Sequence, residues 1–182
     1  TAMGESLRES HPDGLRAWLD LEGAIGRAAL CFTELLRTVR TGEPAYPRRF
    51  GRTFWDDLST VEELGRSFDA LMGGRLTAEA PAVATAYPWG ALEHVVDVGG
   101  GDAVNAIALA RAHPHLRVTV FDLEGASDVA RDNIRVAGLS DRIQVVAGDM
   151  FTDPLPTGFD LVLFAHQFVI WSPEQNQTLL AR

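Results

Sequence analysis

Lysine is absent from the 182 residues, and arginine supplies all sixteen basic side chains. That absence excludes a P-loop nucleotide hydrolase, which needs its phosphate-binding lysine, and Schiff-base chemistry, which needs an amine. The exclusive use of arginine reads as codon bias. Against the arginines stand 25 carboxylates, giving a formal charge of −9. A negative chain with no basic stripe repels a phosphate backbone, so no nucleic-acid partner is expected. Cysteine is nearly absent too. Cys31 stands alone, which rules out an intrachain disulfide and a thiolate zinc cluster. It falls in an apolar helical pattern and reads as a buried, inert thiol. Histidines and carboxylates show no metal-ligand spacing, so no metal is expected. Long apolar runs are also missing. The longest, Leu161 to Trp171, is interrupted by His166 and Gln167 and is too short to cross a bilayer. With no secretory leader in view, the expectation is a soluble, cytoplasmic protein without a membrane partner.

What is present divides into two patterns. Residues 1–90 read as helices joined by loops. From Leu15 to Val39 apolar residues recur mostly three or four apart, predicting a helix capped by Ser10 with Asp13 and ended by Gly42. A loop with Pro44, Pro47 and two adjacent arginines follows. Ser59 and Glu62 read as a capping box for a helix to about Met72, closed by Gly73-Gly74, and a shorter helix spans about 78–86. No strand is predicted here. Residues 91–182 alternate strand and helix: strands at 94–98, 116–121, 143–146 and 159–164, helices at 102–113 and 127–136, and a last helix opened by Ser172 and Pro173. Alternation of this kind predicts an α/β fold with a parallel, doubly wound sheet.

The strongest motif is the turn from the first strand to the first helix, Val95-Val96-Asp97-Val98-Gly99-Gly100-Gly101-Asp102-Ala103. Glycines there let backbone approach a ligand closely. Asp122 ends the second strand, 21 residues after Gly101, where a carboxylate can accept ribose hydroxyls. Gly148-Asp149-Met150-Phe151 follows the third strand, where an acid and apolar neighbours can hold a purine. Each has a plainer reading: Asp122 as a helix cap, Asp149 as a turn residue. All three lie on the carboxyl edge, where open α/β sheets bind ligands. A dinucleotide fingerprint needs a third glycine where Val104 stands. The spacing Asp97, Gly99, Gly101, Ala103 instead puts an acid where an amino group would bind. Together with a ribose at Asp122, that describes S-adenosylmethionine, with a nicotinamide-dependent oxidoreductase as the alternative.

The run from His94 to Arg182 resembles the class I methyltransferases of the plant-type small-molecule O-methyltransferase family (caffeate and hydroxyindole enzymes), in its bacterial natural-product branch. VVDVGGGDA, VTVFDLEG, IQVVAGDMFTDPLP and FDLVLFAHQFVIWSPEQ carry the resemblance, and FGRTFWDDLSTVEELGRSFDALM is similar to the family's substrate-covering segment. The resemblance implies a Rossmann-like, incomplete cofactor domain at 91–182 after an all-α, dimer-linked segment at 1–90. It implies that Asp97, Gly99 and Gly101 hold the methionine portion, Asp122 and Leu123 the ribose, and Asp149, Met150, Phe151 and Trp171 the adenine. Phe54, Trp55 and Met72 would border an aromatic acceptor, with core packing as the competing role of each. It further implies methyl transfer to a small aromatic natural product, usually at oxygen, and a homodimer of the full-length protein. The threonine start and the small number of strands then read as an internal stretch of a longer enzyme.

One departure matters. Where the family reads His-Asp-Trp, with the histidine as proton acceptor, this chain has Val169, Ile170 and Trp171. General-base catalysis contributes roughly 10²–10⁴-fold. The acceptor must therefore be acidic, or accept at carbon or nitrogen, or the protein binds cofactor without methylating. Alternatively His166, three residues earlier, takes the proton. A hydrogen-bonded structural histidine is the other reading of that residue.

Overall fold

The computed structural model describes residues 1–8, 11 and 15–182. They form two compact units, Thr1–Met72 and Gly73–Arg182. The expected cap by Ser10 and Asp13 lies outside the described residues.

The first unit is helical, with no strand among its described residues: α1 (Ala2–Glu5), α2 (Leu15–Leu19), α3 (Ala24–Ala29), a 3-10 turn (Leu30–Glu34), α4 (Leu35–Thr41), α5 (Ala45–Phe50), α6 (Phe54–Thr60) and the first half of α7 (Glu62–Val83). The single helix expected over 15–39 is broken. At Asp20 the side chain takes the Glu22 N–H at 3.0 Å, a local bond that competes with the helical ladder, and the 3-10 turn interrupts the period again. Many of its apolar positions face outward: Phe32, Leu36 and Val39 are 68%, 64% and 73% exposed. Cys31 is half-buried rather than buried. Gly42 does close α4, in the left-handed conformation.

The loop expected from Gly42 to Phe54 contains α5, because Pro47 sits in its first turn, where no N–H partner is needed. The capping box is made by Thr53 and Asp56 at the start of α6, and Ser59 instead donates to the Asp56 carbonyl. Gly73-Gly74 does not stop α7, which runs on to Val83 with Pro81 inside it. That helix absorbs the shorter one expected at 78–86.

The second unit follows the sequence closely. After a 3-10 turn (Trp89–Ala91) come β1 (His94–Val98), α8 (Val104–Ala112), β2 (Arg117–Asp122), α9 (Glu124–Val136), β3 (Ile143–Ala147), β4 (Leu161–Leu163) and α10 (Pro173–Leu180). The strands pair in the order β3-β2-β1-β4, all parallel. Helix α8 starts two residues later than expected, because Ala103 at its N-cap is left-handed. Ser172 and Gln175 form the capping box of α10, with Pro173 in its first turn.

Alternation along the strands divides the core into two faces. Val95, Val118 and Val120 pack with Ala106, Leu109, Ala130 and Ile134 of α8 and α9. Val96, Val98 and Phe121 pack on the opposite face with Met150, Phe159, Val162 and Phe164. Burying such side chains is worth ~1.5–3 kcal/mol each. The sheet thereby becomes a rigid platform whose carboxyl edge carries the loops.

Candidate functional site

The site is built on the carboxyl edge of β1, β2, β3 and β4. Asp97 is the penultimate residue of β1 and is fully buried. Neither of its carboxylate oxygens has a hydrogen-bond partner. Burial, and then the nearby Asp122 and Asp102 carboxylates, push its carboxyl group up to about 7. A buried polar atom without a partner is costly and rare. An ammonium group would satisfy it and restore the ionised form.

The glycine turn that follows is open at Gly101, whereas Gln167 fills the space beside Gly99 and the Asp97 carboxylate that beside Gly100. Gly99 and Gly101 have φ of 70° and 56°, and a Cβ built on Gly101 would meet nothing within 4 Å. Its N–H donates to Asp122 Oδ2 at 2.8 Å, and the Leu123 N–H donates to Oδ1 at 2.7 Å. Asp122 therefore ties the ends of β1 and β2 together. Its carboxyl group is raised by burial against these two backbone bonds. Leu123 beside it is 55% exposed, an apolar surface at the edge. Ala103 closes the turn with φ of 69° while its methyl is fully buried.

Beyond β3, Asp149 Oδ1 accepts the Phe151 N–H at 2.8 Å, and the Asp149 N–H donates to Asp153. Its turn-forming reading thus holds alongside any ligand role. Met150 packs into the core. Phe151 and Trp171 meet edge to face with ring centroids 4.9 Å apart, which joins the segment after β3 to the segment after β4. Gln167 makes the remaining link: its Nε2 donates to the Gly99 carbonyl at 3.1 Å, and its Oε1 accepts from Trp171 Nε1 at 3.4 Å. The sequence reading did not single out Gln167, because an amide after a strand has no distinguishing spacing.

Asp97, Gly99, Gly101, Asp122, Leu123, Asp149, Phe151 and Trp171 therefore all lie at strand ends or the loops following them on one edge. His166 also follows β4. It has φ of 61°, and its Nε2 lies 2.6 Å from Glu79 Oε2. Val169 and Ile170, in place of the family's polar pair, are 82% and 48% exposed.

Phe54 and Trp55 belong to the first unit, where they form an aromatic cluster with Tyr46 and Phe68 at centroid separations of 5.2–5.7 Å. Trp55 remains 37% exposed. Met72 is half-buried within α7. Nothing in the sequence reading anticipated the polar centre beside this cluster. Asp57, buried, accepts from Tyr46 Oη at 2.6 Å and Arg27 Nε at 3.0 Å, and Arg27 lies 4.0 Å over the Phe50 ring.

Comparison with known proteins shows what the chain as a whole is similar to. Two relatives are each 48% identical: aclacinomycin 10-hydroxylase RdmB of Streptomyces purpurascens, over 99% of this chain and 48% of its own length, and a 2,7-dihydroxy-5-methyl-1-naphthoate 7-O-methyltransferase of Streptomyces carzinostaticus, over 87% and 47%. The chain thus spans about half the length of these curated relatives. Among solved structures, the O-methyltransferase NcsB1 of neocarzinostatin biosynthesis, in complex with S-adenosylmethionine and 2-hydroxy-5-methyl naphthoic acid, superposes with a TM-score of 0.94. It is 43% identical, with all of this chain and 56% of that one covered. No helix among the described residues is long and apolar enough to cross a membrane. Residues 32–182 match the model of the O-methyltransferase domain family, and the chain belongs to that family.

Proposed function

We propose that this protein binds S-adenosylmethionine on the carboxyl edge of its sheet and transfers the methyl group to a small aromatic natural-product acceptor, at a hydroxyl oxygen. The observation that carries the reading is Asp97, a buried carboxylate with both oxygens unpartnered beneath a glycine turn that is open at Gly101. An ammonium is the group that such an acid lacks. In this reading Asp97, Gly99 and Gly101 hold the amino-acid portion. Asp122 and Leu123 hold the ribose, and Asp149, Met150, Phe151 and Trp171 the adenine. When bound, the cofactor supplies an electrophilic methyl group on a sulfonium.

The protein's own contribution is to fix the cofactor against a rigid sheet, exclude water with apolar surface such as Leu123 and Ile170, and orient the acceptor; orientation alone is a large rate effect. Phe54, Trp55 and Met72 are proposed to border the acceptor, within a substrate-covering segment at 1–90 that precedes the cofactor domain at 91–182. The naphthoate specificity of one relative supports an aromatic acceptor. Homodimer assembly and a cytoplasmic location belong to the same proposal, the first supported by the exposed apolar residues Phe32, Leu36 and Val39.

The other relative is named a hydroxylase, and Val169 stands where the family's proton acceptor would be. A cofactor-binding but non-methylating protein is therefore the rival. Incubation with methyl-labelled cofactor and a panel of hydroxynaphthoates and anthracycline phenols, followed by mass spectrometry, separates the two. Labelled methyl on an acceptor oxygen is expected. Cofactor binding without transfer to any acceptor would favour the rival.

A further inference from the structure

His166 and Glu79 form a pair that no sequence spacing indicates, 87 residues apart. Two contacts place α7 near the glycine turn. Gly73 of α7 leaves room for the Asp102 carboxylate, which occupies the space a Cβ would take. Almost two turns further along, Glu79 reaches His166. The following residue, Gln167, is bonded to Gly99. His166 therefore immediately precedes the residue whose side chain is bonded to the glycine turn, and it is held in a left-handed backbone conformation that non-glycine residues rarely adopt.

We infer that Glu79 is a positioning residue that sets His166 as the proton acceptor of methyl transfer, in place of the histidine missing at Val169. The inference rests on the proposed methyl-transfer function and deepens it. Glu79 Oε1 accepts from Arg75 Nε at 3.0 Å, leaving Oε2 for the imidazole. The Arg75 bond, and then His166, hold the Glu79 carboxyl below its usual range, so this group is a carboxylate and can only accept. Nε2 must then carry the hydrogen. In the neutral ring that leaves the lone pair on Nδ1.

His166 Nδ1 takes the acceptor's hydroxyl proton as the oxygen forms its bond to the methyl carbon. The carbon–sulfur electron pair returns to sulfur, leaving a thioether. The resulting imidazolium is stabilised by Glu79, as a carboxylate stabilises the histidine of a catalytic triad. Arg75 is the other charged group in contact with the pair, while Asp97, Asp102 and Asp122 are the carboxylates at the neighbouring turn.

The test pairs tautomer with rate. In ¹⁵N NMR of histidine-labelled full-length protein without substrate, the neutral His166 ring should be the Nε2–H form, and Glu79→Ala should convert it to a mixture. In steady-state kinetics, His166→Ala should lower kcat by roughly 10²-fold and remove the His166-dependent limb of the pH profile. Glu79→Ala should lower kcat by about tenfold, with KM and the cofactor Kd by calorimetry held within about twofold. The double variant should be no slower than His166→Ala. Glu79→Gln, whose amide oxygen can still accept from Nε2, should recover part of the loss.

An Nδ1–H ring in the wild type, unchanged kcat in His166→Ala, or multiplying effects in the double variant would overturn the assignment. With cofactor binding intact, those results overturn the assignment alone. Failure of the wild type to bind cofactor overturns the underlying function as well.

Discussion

The two units each bury an aspartate, and they treat it in opposite ways. Asp57 and Asp97 are 2% and 0% exposed. Asp57 accepts from Tyr46 and Arg27, with Arg52 Nε 3.6 Å away. Those hydrogen bonds, led by Tyr46, hold it below the ordinary carboxylate range despite burial. Asp97 has no partner, and burial, then its acidic neighbours Asp122 and Asp102, push its carboxyl group up to about 7. The first is complete within the protein and serves to stabilise it. The second has no partner within the protein, which is the state the proposed cofactor ammonium would complete. A buried charge is thus best judged by what remains unsatisfied around it rather than by its depth.

The largest effect that would break this contrast comes from Asp97→Asn. Removing one partner of a buried charge pair costs about 2–5 kcal/mol, so cofactor affinity should fall roughly 30-fold or more by calorimetry. Unchanged affinity would reduce Asp97 to a structural oddity. Next comes Asp57→Asn, which should cost about 2–3 kcal/mol in urea unfolding, since the Arg27 side chain is 32% exposed and can rehydrate. Cofactor affinity should stay within about twofold; a large loss would show that Asp57 serves the ligand as well.

The pH dependence sharpens the comparison, because the two signs differ. Asp97 is raised from its ordinary value of 3.8 to about 7. Its ionisation is therefore disfavoured in the fold, and stability declines as pH rises through that window, by up to about 4 kcal/mol. Asp57 is lowered. Its contribution is present above its unfolded value and is lost as pH falls through the folded one. The Tm of ligand-free protein should fall from pH 5 to pH 8, and both saturating S-adenosylhomocysteine and Asp97→Asn should flatten that slope. A flat ligand-free profile would count against the partnerless state of Asp97.

Legibility in the sequence followed the same division. In the second unit the apolar runs of β1 and β2 are dictated by burial on both faces, and turn chemistry marks the boundaries. His94–Val98 was readable to the residue, and the positions of Asp122 and Asp149 at strand ends followed from it. In the first unit the period of 3.6 was visible, but the chain breaks it at Asp20 and again at Leu30, and many of its apolar residues face out. Pro47 signalled a loop and Gly73-Gly74 a stop, yet one opens a helix and the other lies within one. Local propensity yielded to context in both cases. Pairings across long separations left no sequence trace. Tyr46 and Arg27 meet Asp57 from 11 and 30 residues away, Glu79 meets His166 from 87, and Gln167 reaches Gly99 from 68.

Ala103 gives the glycine turn a wider meaning. A non-glycine residue in the left-handed region costs roughly 1–2 kcal/mol, while its buried methyl returns about 1 kcal/mol that glycine would forgo. These opposing terms nearly cancel, so drift between alanine and glycine at this position is close to neutral. A signature for this turn is therefore better written as a small residue with positive φ than as a letter. Sequences carrying alanine there are overlooked when cofactor sites are sought by counting glycines.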